Sequence, residues 1–241
     1  MKILALDSSG LVASVALVED NNLLGEYTIN YKKTHSQTLL PMLDAMRKMV
    51  ELDLNTVDAI AVAAGPGSFT GLRIGVATAK GIGLALKKPL VAVSTVDALA
   101  YNLWGSEGIV CPLMDARRGQ VYTGLYAFRE GKMEILRSAE AVALEDIIKE
   151  CNGIGRSVTF LGDGVPVYGE RIQELVQVSY RYAPAHMNKQ RAASVAALGM
   201  EKLRRGESVS AQELVPEYLR LSQAERERAQ REKLSAMEAG K

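Results

Sequence analysis

One order of secondary-structure elements occurs twice along this chain, and this repetition constrains the fold more than any single motif. In the first half, the hydrophobic patterns predict strands at 2–7, 12–18 and 23–30, then helix 34–50, strand 57–64, a helix in the glycine-rich segment that ends at residue 86, strand 89–93 and helix 94–103. The second half repeats this order with strands 108–115, 119–128 and 132–138, helix 144–151, strand 157–163, helix 167–176, strand 177–183 and helix 190–205.

Two β-β-β-α-β-α-β-α units predict an α/β protein with two similar subdomains. Each would hold a mixed sheet whose opening hairpin is antiparallel and whose faces are covered by helices. We place the N-terminal subdomain at 1–105 and the C-terminal subdomain at 106–221, with its last helix able to pack back on the first subdomain. Residues 222–241 are dense in charge and are expected to form a solvated helical tail.

Composition limits the classes of function. The 241 residues carry a formal net charge of +1, whereas a chain that grips nucleic acid alone usually shows a strong basic excess. The two cysteines, Cys111 and Cys151, are far apart and lack the spacing of a zinc site or a disulfide framework. We find no signal peptide and no apolar run long enough to span a membrane, so we expect a cytoplasmic protein.

The segment "AVAAGPGSFTGLRIGVATAKGIGLAL" contains a row of small residues, Gly71, Gly75, Ala79 and Gly83, spaced four apart. Each glycine inside a helix costs about 1 kcal/mol relative to alanine, so the row needs a compensating contact. Residues four apart share one face of a helix, and this face either packs on the chain's own sheet or accepts the backbone of a partner. We favour the partner, and we therefore expect Gly75→Leu to weaken association more than folding. The segment matches neither a dinucleotide fingerprint nor a Walker A loop.

Two aspartates occupy equivalent positions in the two halves. Asp7 ends the first strand of one half and is followed by Ser8 and Ser9, while Asp115 ends the first strand of the other half. Two carboxylates that face each other across a cleft can organise Mg-ATP, although aspartates at strand ends also cap turns. These residues keep open an autonomous small-molecule kinase or ATPase, and a self-associating scaffold is a further alternative.

Six motifs together resemble the TsaB family, bacterial subunits of the machinery that makes N6-threonylcarbamoyladenosine (t6A) in transfer RNA. They are "ALDSS", "THSQTLLPML", "GPGSFTGLRIGVATAKGIGLAL", "DARRGQVY", "FLGDG" and "PEYLR", and they extend from Lys2 to about Arg228. The resemblance implies an actin-like (ribonuclease H-like) ATPase-domain architecture. It also implies pairing through helices of the first subdomain, with a second copy or with the catalytic paralogue TsaD. The expected pairing residues are His35, Leu39, Gly71, Leu72, Gly75, Ala79 and Gly83.

The same resemblance implies a subunit without catalytic residues. TsaD-like relatives hold a metal on a His-x-x-x-His turn, and Thr95 and Leu99 stand at the comparable positions here, so we expect no metal site. The expected activity is to support transfer of threonylcarbamoyl to adenosine 37 of ANN-decoding transfer RNAs. Expected partners are a TsaD-like catalytic subunit, a TsaE-like ATPase and a second copy when alone, with transfer RNA bound only through the complex. No cofactor is expected, except ATP or ADP at the complex interface, in a cleft that would involve Asp7, Ser8, Ser9 and Asp115.

Overall fold

A computed structural model describes residues 1–31 and 34–220. The first subdomain contains strands β1 Lys2–Asp7, β2 Ala13–Glu19, β3 Asn22–Ile29, β4 Ala59–Gly65 and β5 Leu90–Ser94, with helices α1 His35–Met49, α2 Phe69–Leu86 and α3 Thr95–Tyr101. A short 3-10 turn, Leu54–Thr56, precedes β4. The second contains strands β6 Ile109–Asp115, β7 Gln120–Arg129, β8 Lys132–Ala143, β9 Val158–Leu161 and β10 Tyr180–Tyr182, with helices α4 Leu144–Ile154, α5 Gly164–Leu175 and α6 Ala192–Arg204.

The two sheets have the same topology. The strand order is β3-β2-β1-β4-β5 in the first sheet and β8-β7-β6-β9-β10 in the second. In the first sheet, β1, β2 and β3 pair antiparallel, and β4 and β5 run parallel to β1. In the second sheet, β6, β7 and β8 pair antiparallel, and β9 and β10 run parallel to β6. The predicted fold class, an α/β protein with two similar mixed-sheet subdomains, is confirmed.

Helices cover both faces of the first sheet. Helices α1 and α2 lie side by side on one face, where Leu39, Met46 and Val76 pack on strand residues such as Leu6 and Val15. Helices α3 and α6 cover the other face, so the last helix of the chain packs on β1, β2 and β4 of the first sheet. The subdomain boundary between residues 105 and 106 stays a prediction, and the predicted tail at 222–241 lies outside the described residues.

Three local details concern the ends of helices and strands. The Ser94 hydroxyl caps α3 by accepting from the Asp97 backbone N–H at 3.2 Å, as the sequence predicts. Thr34 and Gln37 have the spacing that predicts a capping box, but this prediction is wrong, because the Thr34 side chain makes no capping bond to α1. Strand β8 continues to Ala143, beyond its predicted end at residue 138, because β7 supplies a partner along most of its length. Among the described residues, no helix combines the length and the apolar character needed to cross a membrane.

Candidate partner interface and inter-subdomain cleft

The row of small residues on α2 faces the chain's own sheet. A Cβ added at Gly71 would overlap the Ser8 carbonyl oxygen, and one at Gly75 would lie 2.6 Å from the Ser8 hydroxyl oxygen. At Gly83 an added Cβ would lie 2.7 Å from a Leu90 methyl carbon. The glycines therefore allow α2 to approach β1 and β5 closely, which is the contact that offsets their low helix propensity.

The predicted pairing surface is consequently wrong for six of its seven residues. Gly71, Leu72, Gly75, Ala79 and Gly83 on α2 and Leu39 on α1 are all buried within the subdomain. A partner backbone cannot lie along positions that the chain's own sheet already fills. The reason for the error is that a small-residue row indicates close packing but not which side of the helix is packed.

The opposite sides of α1 and α2 form a second surface, which we call the outer face. Its exposed members are Gln37, Leu40, Pro41, Ala45, Lys48 and Met49 on α1, and Thr70, Arg73, Ala77, Gly81, Leu84 and Ala85 on α2. The exposed fractions of Leu40, Met49 and Leu84 are 52%, 77% and 57%. A Cβ at Gly81 would meet no atom within 4 Å, so this helical glycine borders open space. The outer face is thus smooth and largely apolar.

His35, the remaining predicted pairing residue, is half-buried at the start of α1. Its Nε2 atom lies 2.9 Å from the Gly10 carbonyl oxygen, while its buried Nδ1 atom has no hydrogen-bond partner within the described residues. This contact ties the first turn of α1 to the loop after β1. The role of His35 in pairing stays a prediction.

A C-terminal segment, residues 209–220, returns along the first subdomain towards the second. Val209 exchanges two backbone hydrogen bonds of 2.9 Å with Leu90, and the Glu217 N–H donates to the Ala64 carbonyl at 2.7 Å. At the end of this segment, Arg220 donates to the carbonyl oxygens of Ala116 and Arg117 in the β6–β7 turn. The segment therefore links the end of β4 to the second subdomain.

A cleft of about 510 Å³ lies between the subdomains. Ser9 and Asp115 contribute to its lining, as predicted for a cleft, but Asp7 and Ser8 do not. Four residues of the C-terminal segment, from Glu217 to Arg220, also line it. The cleft is thus partly occupied by the chain's own C-terminal segment.

Asp7 is fully buried beneath the loop that follows β1. Its Oδ1 atom accepts hydrogen bonds from the Ser9 N–H at 2.9 Å and from the Ser9 hydroxyl at 2.6 Å, and its Oδ2 atom has no partner among the described residues. Burial raises the pKa of Asp7 to about 6, although the Ser9 hydrogen bonds and nearby His35 lower it. This carboxyl group therefore has no direct access to the cleft.

Asp115 is also engaged by its own subdomain. Its Oδ1 atom accepts from the Arg117 N–H at 2.8 Å and from the Tyr168 hydroxyl at 2.9 Å. The Asp115 N–H in turn donates to Asp163, whose pKa is raised by burial. A phosphate loop needs free backbone amides, yet the amides of Ser9 and Arg117 bind carboxylates of the same loops. The residues present do not fit Mg-ATP as a hydrolytic site would require, and ATP or ADP at a complex interface stays a prediction.

The positions compared with the TsaD-like metal turn lie in the core. Thr95 and Leu99 are both buried on α3, and the Thr95 hydroxyl has no hydrogen-bond partner within the residues described. No group of three potential metal-ligating side chains occurs in the described parts of the chain. Neither residue can take the place of an imidazole at a metal.

Comparisons with known proteins assign the chain to a family. A family model described as TsaD, tRNA N6-adenosine threonylcarbamoyltransferase, matches residues 22–228. The tRNA threonylcarbamoyladenosine biosynthesis protein TsaB of Bacillus subtilis is 36% identical over 225 residues, which cover 93% of this chain and 96% of that protein. The chain belongs to the TsaB family.

Two further similarities agree with this TsaB assignment. TsaB of Escherichia coli is 34% identical over 152 residues, covering 62% of this chain and 65% of that protein. The solved structure of YeaZ from Pseudomonas aeruginosa superposes with a TM-score of 0.76 at 31% identity, covering 90% of this chain and 99% of that one. The predicted family resemblance is confirmed, and the TsaB-family relatives bear the description of t6A biosynthesis proteins.

Proposed function

We propose that this TsaB-family chain is a non-catalytic partner subunit in t6A biosynthesis. It docks a TsaD-like catalytic subunit, which transfers threonylcarbamoyl to adenosine 37 of ANN-decoding transfer RNAs, and it helps to recruit a TsaE-like ATPase. Without that catalytic partner the chain pairs with a second copy of itself, and it meets transfer RNA only through the complex. The near-zero net charge of +1 supports this last point, because affinity for a polyanion follows the number of phosphates that Lys and Arg neutralise.

The outer face of α1 and α2 is the observation that carries this proposal. It offers Leu40, Met49 and Leu84 to solvent on two adjacent helices. Small residues between them, Ala77 and Gly81, let another helix approach closely, and clustered exposed apolar side chains are typical of protein interfaces. We therefore move the proposed docking surface from the inner side of α2 to its outer side.

The outer face can be tested by filling it at Gly81. Gly81→Leu adds a side chain where the structure has open space, and it gains about 1 kcal/mol of helix propensity. We expect an unchanged or raised melting temperature and at least a ten-fold loss of affinity for the TsaD-like subunit, measured by calorimetry on purified proteins.

Gly153→Leu is the matched control for that experiment. Gly153 is also a helical glycine with no atom within 4 Å of an added Cβ, but it lies on α4 in the second subdomain. We expect this variant to bind the TsaD-like subunit as the wild-type chain does. Wild-type affinity of Gly81→Leu would contradict the proposed docking surface.

The rival function, an autonomous kinase or ATPase that uses Asp7 and Asp115, has less support. Asp7 is buried away from the cleft, and the Asp115 Oδ1 atom is already bound by Arg117 and Tyr168. A carboxylate that organises Mg²⁺ and phosphate must reach them with its oxygens. Asp7 is not placed to do so, and Asp115, which lines the cleft, has one carboxylate oxygen occupied by these contacts.

A further inference from the structure

The Arg73 side chain is held in place on the outer face by two aromatic residues. Its guanidinium carbon lies 4.0 Å from the centroid of the Phe69 ring, and its Nε–H donates to the Tyr218 hydroxyl at 3.1 Å. The rings of Phe69 and Tyr218 are themselves stacked, with centroids 4.4 Å apart. The Arg73 side chain is therefore held by one residue of α2, Phe69, and by one residue of the C-terminal segment, Tyr218.

Among the residues that the structure describes, Arg73 uses little of its hydrogen-bonding capacity. Within the described residues, its Nη1 and Nη2 atoms make neither a hydrogen bond nor an ion pair. These two nitrogens form the planar fork with which arginine binds a carboxylate through two parallel hydrogen bonds. Because the stacking already restricts the side chain, less conformational entropy is lost when the fork binds.

Tyr218 is in turn fixed by its neighbours in the C-terminal segment. The preceding residue, Glu217, is bonded through its N–H to the Ala64 carbonyl, and Arg220 binds the carbonyl oxygens of the β6–β7 turn. The Tyr218 hydroxyl is therefore presented to Arg73 from a segment that is anchored on both sides. This arrangement gives the C-terminal segment a role at a surface formed mainly by α1 and α2.

We propose that Arg73 is the charged anchor of the outer face and binds a carboxylate of the TsaD-like partner, with Tyr218 as its positioning residue. This inference rests on the proposed function. Arg73 lies in the same exposed row as Ala77 and Gly81, so a partner helix that covers this row also removes water from the guanidinium group. A charge that loses its water is strongly destabilised unless an opposite charge replaces the lost hydrogen bonds.

A double-mutant cycle tests the proposal on the full-length chain and the purified TsaD-like subunit. We expect Arg73→Gln to weaken binding about ten-fold, or about 1.4 kcal/mol. Tyr218→Phe, which keeps the ring and removes only the hydroxyl, should weaken binding about three-fold. In the Arg73→Gln background, Tyr218→Phe should cause no further loss, because it acts through Arg73. Added salt should weaken binding of the wild-type chain more steeply than binding of Arg73→Gln.

Two variants separate the possible failures. Lys149→Gln removes a positive charge from the exposed side of α4 and should leave binding unchanged. If Gly81→Leu abolishes pairing but Arg73→Gln does not weaken it, the anchor is refuted and the docking surface stands. Equal losses of affinity from Tyr218→Phe in the wild-type and Arg73→Gln backgrounds would refute the positioning role of Tyr218. Variants that weaken only self-association, and not binding of the TsaD-like subunit, would also refute it. If Gly81→Leu leaves pairing intact, the proposed docking surface fails and the anchor fails with it.

Discussion

Asp7 is a carboxyl group that the fold keeps away from water without supplying a counter-charge in direct contact. Burial raises its pKa to about 6, so the native chain retains a proton there at pH values where the unfolded chain has released it. The free energy of unfolding contributed by this group therefore falls as the pH rises from about 4 to about 6. Above that window the charged, buried form is a full destabilising contribution.

Asp7→Asn should remove this pH dependence while keeping an oxygen that can accept from Ser9. We expect the free energy of unfolding of the variant, relative to the wild-type chain, to rise by on the order of 2–3 kcal/mol between pH 4 and pH 7. Urea denaturation at several pH values measures this difference. A difference that stays constant across the range would contradict the assignment of the raised pKa to Asp7.

Gly71 is buried and Gly81 is exposed on α2, so they should respond oppositely to the same substitution. Gly71→Ala places a methyl group into the Ser8 carbonyl oxygen, so we expect a loss of at least about 2 kcal/mol of stability. Gly81→Ala meets open space and should gain about 1 kcal/mol from helix propensity. Equal effects of the two substitutions on the denaturation midpoint would mean that α2 is rotated relative to the described arrangement.

At the scale of elements, helix α2 shows that the sequence predicts the presence of a helix better than its orientation. The sequence predicts a helix in the glycine-rich segment that ends at residue 86, and α2 spans Phe69–Leu86 with a Ser68 cap that this prediction does not include. Its orientation was not predicted correctly, because α2 carries two rows of small residues. Gly71, Gly75, Ala79 and Gly83 form one row, and Ala77, Gly81 and Ala85 form another on the opposite side. Because the two rows have similar composition, hydrophobic periodicity cannot show which of them faces the sheet. The charged Arg73 is in register with the second row, and this is the one signal that indicates that the second row faces solvent.

The C-terminal segment was the element that sequence reasoning missed. The motif "PEYLR" was noticed, but nothing local indicates that Tyr218 meets Phe69 and Arg73, or that Arg220 reaches the β6–β7 turn. Such contacts join residues more than 100 positions apart and depend on how α6 returns to the first sheet. Of the predicted cleft residues, Ser9 and Asp115 do line a cleft, while the burial of Asp7 and Ser8 results from the close packing of α2 on β1.

The C-terminal segment also gives a prediction at this scale. Gly65 adopts a backbone φ of +138°, and a Cβ there would overlap the Glu217 carbonyl oxygen. We expect Gly65→Ala to displace residues 209–220 and to speed cleavage by chymotrypsin after Tyr218. Gly105→Ala is the control, since Gly105 also has a positive φ, +79°, but borders open space. Equal cleavage rates for the two variants would argue against close packing of the segment on Gly65.

At the scale of the whole molecule, two similar α/β subdomains flank a cleft that is partly filled by the chain's own C-terminal segment. A kinase or ATPase needs carboxylates that reach the cleft and free backbone amides, yet Asp7 is buried and the Arg117 amide already binds the Asp115 Oδ1 atom. The outer face of α1 and α2 exposes Leu40, Met49 and Leu84 on the outside of the first subdomain, and other exposed apolar side chains, such as Trp104 and Val167, lie elsewhere. This distribution supports a protein that acts through a partner.

Formation of t6A from purified components tests this central claim most directly. The reaction would contain an ANN-decoding transfer RNA, threonylcarbamoyl adenylate and the TsaD-like subunit, with the wild-type chain, Gly81→Leu or Gly153→Leu. We predict no product from the chain alone, full activity when the TsaD-like subunit is combined with the wild-type chain or Gly153→Leu, and at least a ten-fold lower rate with Gly81→Leu at concentrations below saturation. Transfer by the chain alone, or full activity with Gly81→Leu under those conditions, would contradict the account.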